Sequence, residues 1–170
     1  MFADARLETS RWIGCRGAFA DFSGADLTEA LFQGGDFNNA LLRRARLSQA
    51  TFRGGKLTGA DFTDAKAFET VFEEVLLIAA RLPAFSFRKQ RLTRLDFAQA
   101  DLKAADFRDA VFDACSLRDA NLKGARFEGA DLRGCDLGGL RLTDATPFRG
   151  AVISRDQASS LLSELGLTVR

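Results

Sequence analysis

The sequence contains no histidine and no tyrosine, and it has only two prolines and three cysteines among 170 residues. Without histidine the chain lacks the commonest general base and the commonest metal ligand. Three cysteines are too few, and odd in number, for a secreted disulfide scaffold, which favours reduced thiols. We therefore expect a protein that is not an enzyme, with no catalytic residue, no metal site and no cofactor.

Long hydrophobic runs are also missing. No apolar stretch approaches the roughly 18 residues of a membrane span, and residues 1–20 have neither the basic start nor the apolar core of a signal peptide. A composition of 46% hydrophobic and 28% charged residues suits one soluble domain. These features predict a cytoplasmic protein without a membrane partner, and a net charge of +1 gives no support to nucleic-acid binding.

Large apolar residues recur at every fifth position. Positions 2, 7, 12 and onward to 142 form 29 large-residue sites, of which 26 are Leu or Phe, and the exceptions are Trp12, Gly17 and Ala67. The site two residues before each of these is usually Ala, and the other three positions carry every charged residue up to Asp144. A short fixed period is typical of a solenoid, in which stacked units share one core.

The repeated units, seen as ADLTE, ADFTD, ADLKA and ADLRG, closely resemble the pentapeptide-repeat family. The resemblance implies an all-β solenoid, a right-handed quadrilateral β-helix in which four pentapeptide units form the four sides of each square coil. Over residues 1–149 it implies about seven coils. The Leu and Phe sites then point to the axis, and the core-lining residues are predicted to be Phe22, Leu27, Phe32, Phe37, Leu42, Leu47, Phe52, Leu57, Phe62, Phe97, Leu102, Phe107, Phe112, Leu117, Leu122, Phe127 and Leu132.

The distribution of charge supports a 20-residue coil independently of the family. Of 17 residue pairs that are 20 positions apart and both charged, 14 are opposite in sign, as in Arg53/Glu73 and Asp61/Arg81. At a separation of 15, the counts are nine opposite and eight like. Because opposite charges on adjacent strands are favourable, residues separated by four units are predicted to lie above one another.

Residues 66–95 depart from the pattern without breaking its register. Phe85, Gln90 and Leu95 replace the small residue, and Ala67 is undersized for a large-residue site. The same segment places Phe68, Val71, Leu76 and Ile78 at outward positions, and we define these four residues as the apolar belt. An exposed apolar belt can mark a partner surface, but local bulging of a degenerate coil explains it as well.

The repeats fade at ATPFRG, where Pro147 stands at a large-residue site. Ser154 and Gln157 fit a helix capping box, Gly166 fits a helix stop, and Leu161, Leu162 and Leu165 continue an apolar stripe. We predict a helix from about 155 to 165. Residues 150–170 are then a second region that caps the open coil, and a homodimer interface is predicted at Leu161, Leu162, Leu165, Leu167 and Val169.

A β-helix that ends in QASSLLSELGLTV resembles the quinolone-resistance (Qnr) proteins. This resemblance implies a non-catalytic, dimeric rod that binds DNA gyrase or topoisomerase IV and protects it from inhibitors. A rod that imitated DNA over about 35 Å would need on the order of 20 net negative charges, whereas this chain has +1. The alternative is a scaffold or adaptor for an unrelated protein partner. Whether Cys115 and Cys135, which are separated by one coil, ever form a disulfide is left open.

Overall fold

The computed structural model describes residues 1–142 and 144–169. Six three-residue strands stack in chain order on one face of a β-helix, and two shorter strands pair on a neighbouring face. The strands are β1 Arg11–Ile13, β2 Leu31–Gln33, β3 Thr51–Arg53, β4 Val71–Glu73, β5 Arg91–Thr93, β6 Val111–Asp113, β7 Cys115–Ser116 and β8 Cys135–Asp136. One helix, α1 (Arg155–Glu164), follows the coils.

All strand pairs are parallel and pair residues that are 20 positions apart, as Phe32 with Phe52 and Phe52 with Phe72. Isolated bridges repeat the same register along the coils, except between Asp131 and Val152 in the last one. Between coils, the amide of Phe62 donates to the carbonyl of Arg81 at 2.8 Å, and the amide of Arg81 donates to Ala60 at 2.9 Å. The coil length predicted from the charges is therefore confirmed.

The interior is a column of phenylalanine rings and leucine side chains. Phe32, Phe52 and Phe72 stack nearly parallel, with ring centroids 4.7 and 4.9 Å apart. A second ladder on another face joins Phe87, Phe107 and Phe127 at 5.0 Å per step. Of the seventeen residues predicted to line the core, sixteen are buried and Leu122 is half-buried.

Corners of the coil depend on a left-handed residue two positions after the large-residue site. Glu29 (φ 58°), Arg44 (φ 58°) and Gln99 (φ 59°) are examples among the 19 non-glycine residues with positive φ in the described part of the chain. Such residues are uncommon in folded proteins, so each corner must be held by its neighbours. The ladder hydrogen bonds of the stacked coils supply that constraint at Glu29 and Gln99, whose amides donate at 2.9 and 2.8 Å.

The aspartate that opens many units has a local structural role. Its carboxylate accepts a hydrogen bond from the amide two residues later, as between Asp96 and Ala98 at 2.9 Å and between Asp36 and Asn38 at 3.1 Å. That amide makes no ladder bond, so the aspartate satisfies it. Where Arg81 replaces the aspartate, the residue two positions later is Pro83, which has no amide hydrogen. The ADL and ADF motifs are therefore explained by backbone satisfaction.

The last coil differs from the prediction made for Pro147. In the regular coils the amide at a large-residue site donates to the carbonyl just before the large-residue site of the next coil, as Phe107 does to Arg126. In the last coil the amides of Phe127 and Leu132 donate to the carbonyls of Pro147 and Val152. Each of these two acceptors lies one position later in the chain than the regular register would place it. The final coil is therefore longer than the others by a single position. This extension moves Phe148 into the large-residue site, where its ring stacks on Phe127 at 4.8 Å, so the prediction that Pro147 fills this site is wrong.

The C-terminal helix begins as the capping box predicts. The hydroxyl of Ser154 accepts from the amide of Gln157, and the Gln157 side-chain oxygen accepts from the amide of Ser154 at 2.7 Å. The helix ends at Glu164, and Gly166 has a φ of 80°. The predicted all-β solenoid with one short C-terminal helix is therefore confirmed, with about six turns where about seven coils were predicted. None of the helices that the structure describes has the length and apolarity to cross a membrane.

Candidate protein-binding surfaces

The apolar belt does not form one patch. The backbone of Leu76 forms β-bridges with Lys56 in the coil below and Asp96 in the coil above, on one face of the β-helix. Ile78 follows Leu76 in the same pentapeptide unit and is half-buried. Phe68 and Val71 lie at a different corner, where they line a common groove. Phe68 is the most exposed member, with 67% of its surface accessible. Phe68 and Val71 are therefore brought together, whereas Leu76 and Ile78 are separated from them by the turn of the coil.

The groove at Phe68 and Val71 lies between two consecutive coils and has a volume of about 500 Å³. Its lower side is formed by residues 67–71 of the coil that contains β4. Its upper side is formed by Ser86, Arg88, Gln90 and Arg91 of the next coil. The sequence did not identify Arg88 or Arg91 as site residues, because charged residues are common at outward positions throughout the chain. Gln90, a large polar residue at a small-residue site, was the sequence feature that could have indicated an irregular coil here.

The parallel ladder is interrupted at this groove. Among the described hydrogen bonds, four amides that line this groove lack the ladder bond that the equivalent amides of regular coils make: Ala67, Glu69, Ser86 and Arg91. Strands β4 and β5 accordingly pair only at Glu73 and Thr93, whereas β3 and β4 pair at three positions. The two coils are therefore open at one corner and joined elsewhere.

An exchange of volume in the core explains the opening. The ring of Phe85 lies 6.2 Å from Phe62 and 5.7 Å from Phe72, the two large residues that flank Ala67 in the coil below. Phe85 is buried, and it fills the space that a leucine or phenylalanine at position 67 would take. Its bulk at a small-residue site displaces the backbone that normally closes the ladder. The oversized Phe85 and the undersized Ala67 therefore compensate each other, and the register stays intact, as predicted.

Two polar side chains replace part of the missing ladder. The side-chain amide of Gln90 donates to the carbonyl of Thr70 at 3.3 Å. The Thr70 hydroxyl is buried and donates to the carbonyl of Leu47 at 2.7 Å. The contact of Gln90 crosses the opening, whereas that of Thr70 fastens the lower side of the groove to the coil beneath it. Both follow the rule that buried polar groups have hydrogen-bond partners.

The C-terminal tail divides into a packed side and an exposed side. Leu161 is buried, with 8% exposure, and lies against Leu132 and Leu137 of the last coils. The side-chain amide of Gln157 donates to the carbonyls of Leu132 and Cys135 at 2.7 and 2.6 Å. Gln157 therefore completes the capping box and also closes the open end of the β-helix, a second role that the sequence did not reveal.

The remaining residues of the predicted dimer interface are Leu162, Leu165, Leu167 and Val169, and all four are exposed. Leu161 is not available to a second chain, because its side chain already packs within its own. The exposed set lies along the outer side of α1 and the segment that follows it. This is a contiguous apolar stretch of the kind that associates with another surface.

Ion pairs link the coils on the outside. Arg53 lies 2.8 Å from Glu73, Arg46 lies 3.3 Å from Asp26, and Arg94 pairs with Glu74. Some ion pairs join residues that are not 20 positions apart, since Asp109 lies 3.9 Å from Arg88 and Arg133 lies 2.6 Å from Asp131. Opposite charges therefore neutralise one another along the rod and leave no continuous acidic surface on the described residues.

Asp61 is the most buried of these charges. Its carboxylate accepts from Arg43 at 2.7 Å, lies 3.6 Å from Arg81, and accepts from the amide of Thr63 at 2.9 Å. Burial alone would raise the pKa of Asp61, but the hydrogen bonds from Thr63 and Arg43 outweigh it and hold the pKa below its usual range. Asp61 thus stays ionised and links three successive coils.

The cysteines occupy small-residue sites and are all free. Cys115 and Cys135 are paired in register between β7 and β8, and both are buried. Burial raises the pKa of both thiols. Because the reactive form of cysteine is the thiolate, this environment favours packing over reactivity.

Pentapeptide repeats are recognised in this chain by the family model of that name, with eight copies and matches over residues 2–39, 25–64, 70–109 and 110–146. The chain belongs to the pentapeptide-repeat family. No curated protein matches this sequence. Membership of this family accounts for the five-residue repeat and the coil that it forms. It does not identify a binding partner.

Solved structures of QnrB1 share the fold of this pentapeptide-repeat protein. A trypsin-treated variant of QnrB1, described as a plasmid-mediated fluoroquinolone resistance protein, has 22% identity and a TM-score of 0.65, with 99% of this chain and 92% of that chain covered. Full-length QnrB1 has 22% identity and a TM-score of 0.55, covering 98% and 92%. HetL from the cyanobacterium Nostoc, involved in heterocyst differentiation regulation, has 23% identity, a TM-score of 0.47 and 86% coverage of each chain.

Proposed function

We propose that this protein is a non-catalytic, homodimeric rod that binds a type II topoisomerase, DNA gyrase or topoisomerase IV, in the cytoplasm and modulates its response to inhibitors. The observation that supports it is the extent of the likeness to the fluoroquinolone resistance protein QnrB1. That likeness covers 99% of this chain, so it includes α1 as well as the coils.

The exposed side of the tail supports the dimeric part of the proposal. Leu162, Leu165, Leu167 and Val169 project from the end of the rod, while Gln157 and Leu161 anchor the helix to the last coil. A firmly anchored helix with an apolar outer side suits an isologous, two-fold contact. Two rods joined at this end form one long particle with the same surface on both arms.

A gyrase supercoiling assay tests the topoisomerase proposal directly. We expect the purified protein to alter supercoiling by DNA gyrase, or to restore it in the presence of ciprofloxacin, with QnrB1 as the positive control. The interaction should also appear as binding of the protein to immobilised gyrase. Neither inhibition nor protection, at concentrations where QnrB1 acts, would remove the topoisomerase proposal.

A scaffold or adaptor for an unrelated protein partner is the second candidate. The observation in its favour is the alternation of charge along the rod, with Arg53–Glu73 and Arg46–Asp26 as examples, which leaves no acidic face to imitate DNA on the part of the chain that the structure describes. For this candidate we expect that Phe68→Asp with Val71→Asp removes partners from a pull-down. Unchanged partners in that experiment would count against it.

A further inference from the structure

The corner at which the ladder opens has the features of a peptide-binding groove. We propose that the groove between residues 67–71 and residues 86–91 binds a short, extended, acidic segment of a partner protein. The proposal deepens the proposed function, since it rests on protein binding, but it does not depend on the partner being a topoisomerase. We name this feature the corner groove.

The corner groove offers a cluster of hydrogen-bond donors in the middle of the rod. The amides of Ala67 and Glu69 lack acceptors on the lower side, and those of Ser86 and Arg91 lack them on the upper side, among the hydrogen bonds of the described residues. Free amides and carbonyls in a groove bind extended peptide backbone, as at the open edge of a sheet. One acceptor, the carbonyl of Thr70, is already taken by Gln90.

The charge of the corner groove selects an acidic occupant. Arg88 and Arg91 lie on its upper side, with side chains 47% and 67% exposed, and their nearest carboxylates, Asp109 and Asp113, are each 3.9 Å away. Both ion pairs are therefore at the limit of contact. Glu69 also lines the groove, and its carboxylate is occupied by a hydrogen bond from Gln49 of the coil below at 3.1 Å. Guanidinium groups beside free amides favour a carboxylate ligand.

The lower side adds an apolar contact. Phe68 and Val71 are both exposed and line the same groove. An extended segment places alternate side chains on opposite sides, so one set can contact Phe68 and Val71 while acidic residues meet the arginines. A volume of about 500 Å³ accommodates only a few residues of such a segment. The expected ligand is therefore a short motif and not a whole domain surface.

The test uses a fluorescein-labelled heptapeptide of alternating aspartate and valine, titrated with the intact protein and followed by fluorescence anisotropy. We expect saturable binding that Arg88→Glu with Arg91→Glu weakens roughly tenfold or more, because charge-assisted contacts are lost. Arg11→Glu is the matched control, since Arg11 lies in the same column of the rod, in β1, away from the groove. It should leave the affinity unchanged.

Two further peptides separate groove binding from simple attraction between charges. The same heptapeptide with alternate amides N-methylated keeps its charge but loses backbone pairing, and we expect it to bind at least about tenfold more weakly. A heptapeptide of alternating lysine and valine should not bind. Equal affinity for the methylated peptide, or an equal loss with Arg11→Glu, would overturn the proposal, as would binding of a short oligonucleotide in place of the peptide.

Hydrogen exchange provides the second readout. We expect the amides of Ala67, Glu69 and Ser86 to exchange fast in the free protein and to become protected when the aspartate–valine peptide is added, since exchange reports local openness. The equivalent amides of the coil below, Leu47 and Gln49, donate at 2.8 Å and should stay slow throughout. Equal protection of both sets in the free protein would refute the open corner. Peptide binding without any effect on gyrase would remove the topoisomerase proposal alone.

Discussion

At the scale of single residues, the two undersized large-residue sites, Gly17 and Ala67, are each compensated by a phenylalanine. Gly17 has no side chain, and a Cβ there would lie 2.5 Å from the ring of Phe37, which fills the space instead. Ala67 is compensated in the same way by Phe85. Interior volume is therefore conserved even where residue identity is not, as close packing of a core requires.

Asp61 is the residue whose charge matters most for stability. Its pKa is depressed in the folded protein, so its stabilising contribution is present above the unfolded pKa near 3.8 and is lost as pH falls through the folded pKa. Most other ion pairs of the rod involve exposed groups, which contribute about 0–1 kcal/mol each. Hydrogen bonds also hold the pKa of Asp26, Asp106 and Asp131 below the usual range, but these carboxylates are less buried. We therefore expect Asp61 to make the largest single contribution to the response to acid.

We predict that Asp61→Asn lowers the free energy of unfolding by about 2 kcal/mol at pH 7, because Arg43 and Thr63 lose a charged acceptor. The difference from the native protein should shrink as pH falls below the folded pKa of Asp61. Urea unfolding at several pH values measures it. Asp101→Asn is the control, because Asp101 makes the same turn on the same face, without an arginine partner among the described contacts, and an equal loss there would contradict the special role of Asp61.

At the scale of the coil, stability comes from a continuous ladder, and the corner groove is a place where it is interrupted. The cause is one oversized residue, Phe85, facing one undersized residue, Ala67. In each regular coil the ladder of backbone hydrogen bonds is continuous, because the small-residue sites hold Ala or a similar residue and the large-residue sites hold Leu or Phe. A local packing exchange is therefore enough to open the backbone without any inserted loop.

We predict that Ala67 and Phe85 are energetically coupled. Ala67→Leu alone should destabilise by about 1–3 kcal/mol through overpacking, and Phe85→Ala alone by about 3–5 kcal/mol through a cavity. The double variant restores both sites to the repeat pattern, so its loss should be smaller than the sum of the two. A double-mutant cycle by urea unfolding measures the coupling, and additive losses would show that the two side chains do not share one space.

At the scale of the whole molecule, the ends of the rod differ. The C-terminal end is closed by Gln157 and Leu161, which satisfy carbonyls and cover the last leucines. The first coil exposes Ile13 and Phe19 and presents Arg6, Arg11 and Arg16 at successive outward positions. Charged residues on an open edge discourage strand pairing, so association is expected at the helical end.

We predict that Leu162→Asp with Leu165→Asp converts a dimer into a monomer, since both side chains are exposed and lie outside the packed contact of Leu161. Sedimentation velocity should then give the 18.5 kDa of one chain, against twice that mass for the native protein. Phe19→Asp with Leu76→Asp removes two exposed apolar residues elsewhere and should leave the dimer intact. An unchanged mass for the first variant, or a monomeric native protein, would refute the interface.

Much of the fold was determined by the sequence alone, because a strict period of five leaves few arrangements for Leu, Phe and Ala. The period, the register between coils and the capping box at Ser154 and Gln157 are properties of neighbouring or regularly spaced residues. Local chemistry and periodicity express them directly. The pairing of charges 20 positions apart reports the register for the same reason.

The tertiary structure alone decided what depends on volume and on contacts between distant residues. It placed Phe148 and not Pro147 in the core, buried Leu161 within its own chain, and separated Leu76 from Phe68. It also opened the corner groove between Arg88 and Phe68. The physical reason is that side chains from neighbouring coils fill the same interior space. The position of the backbone at the corner groove therefore depends on the packing of Phe85 against Phe62 and Phe72 and cannot be read from one repeat unit.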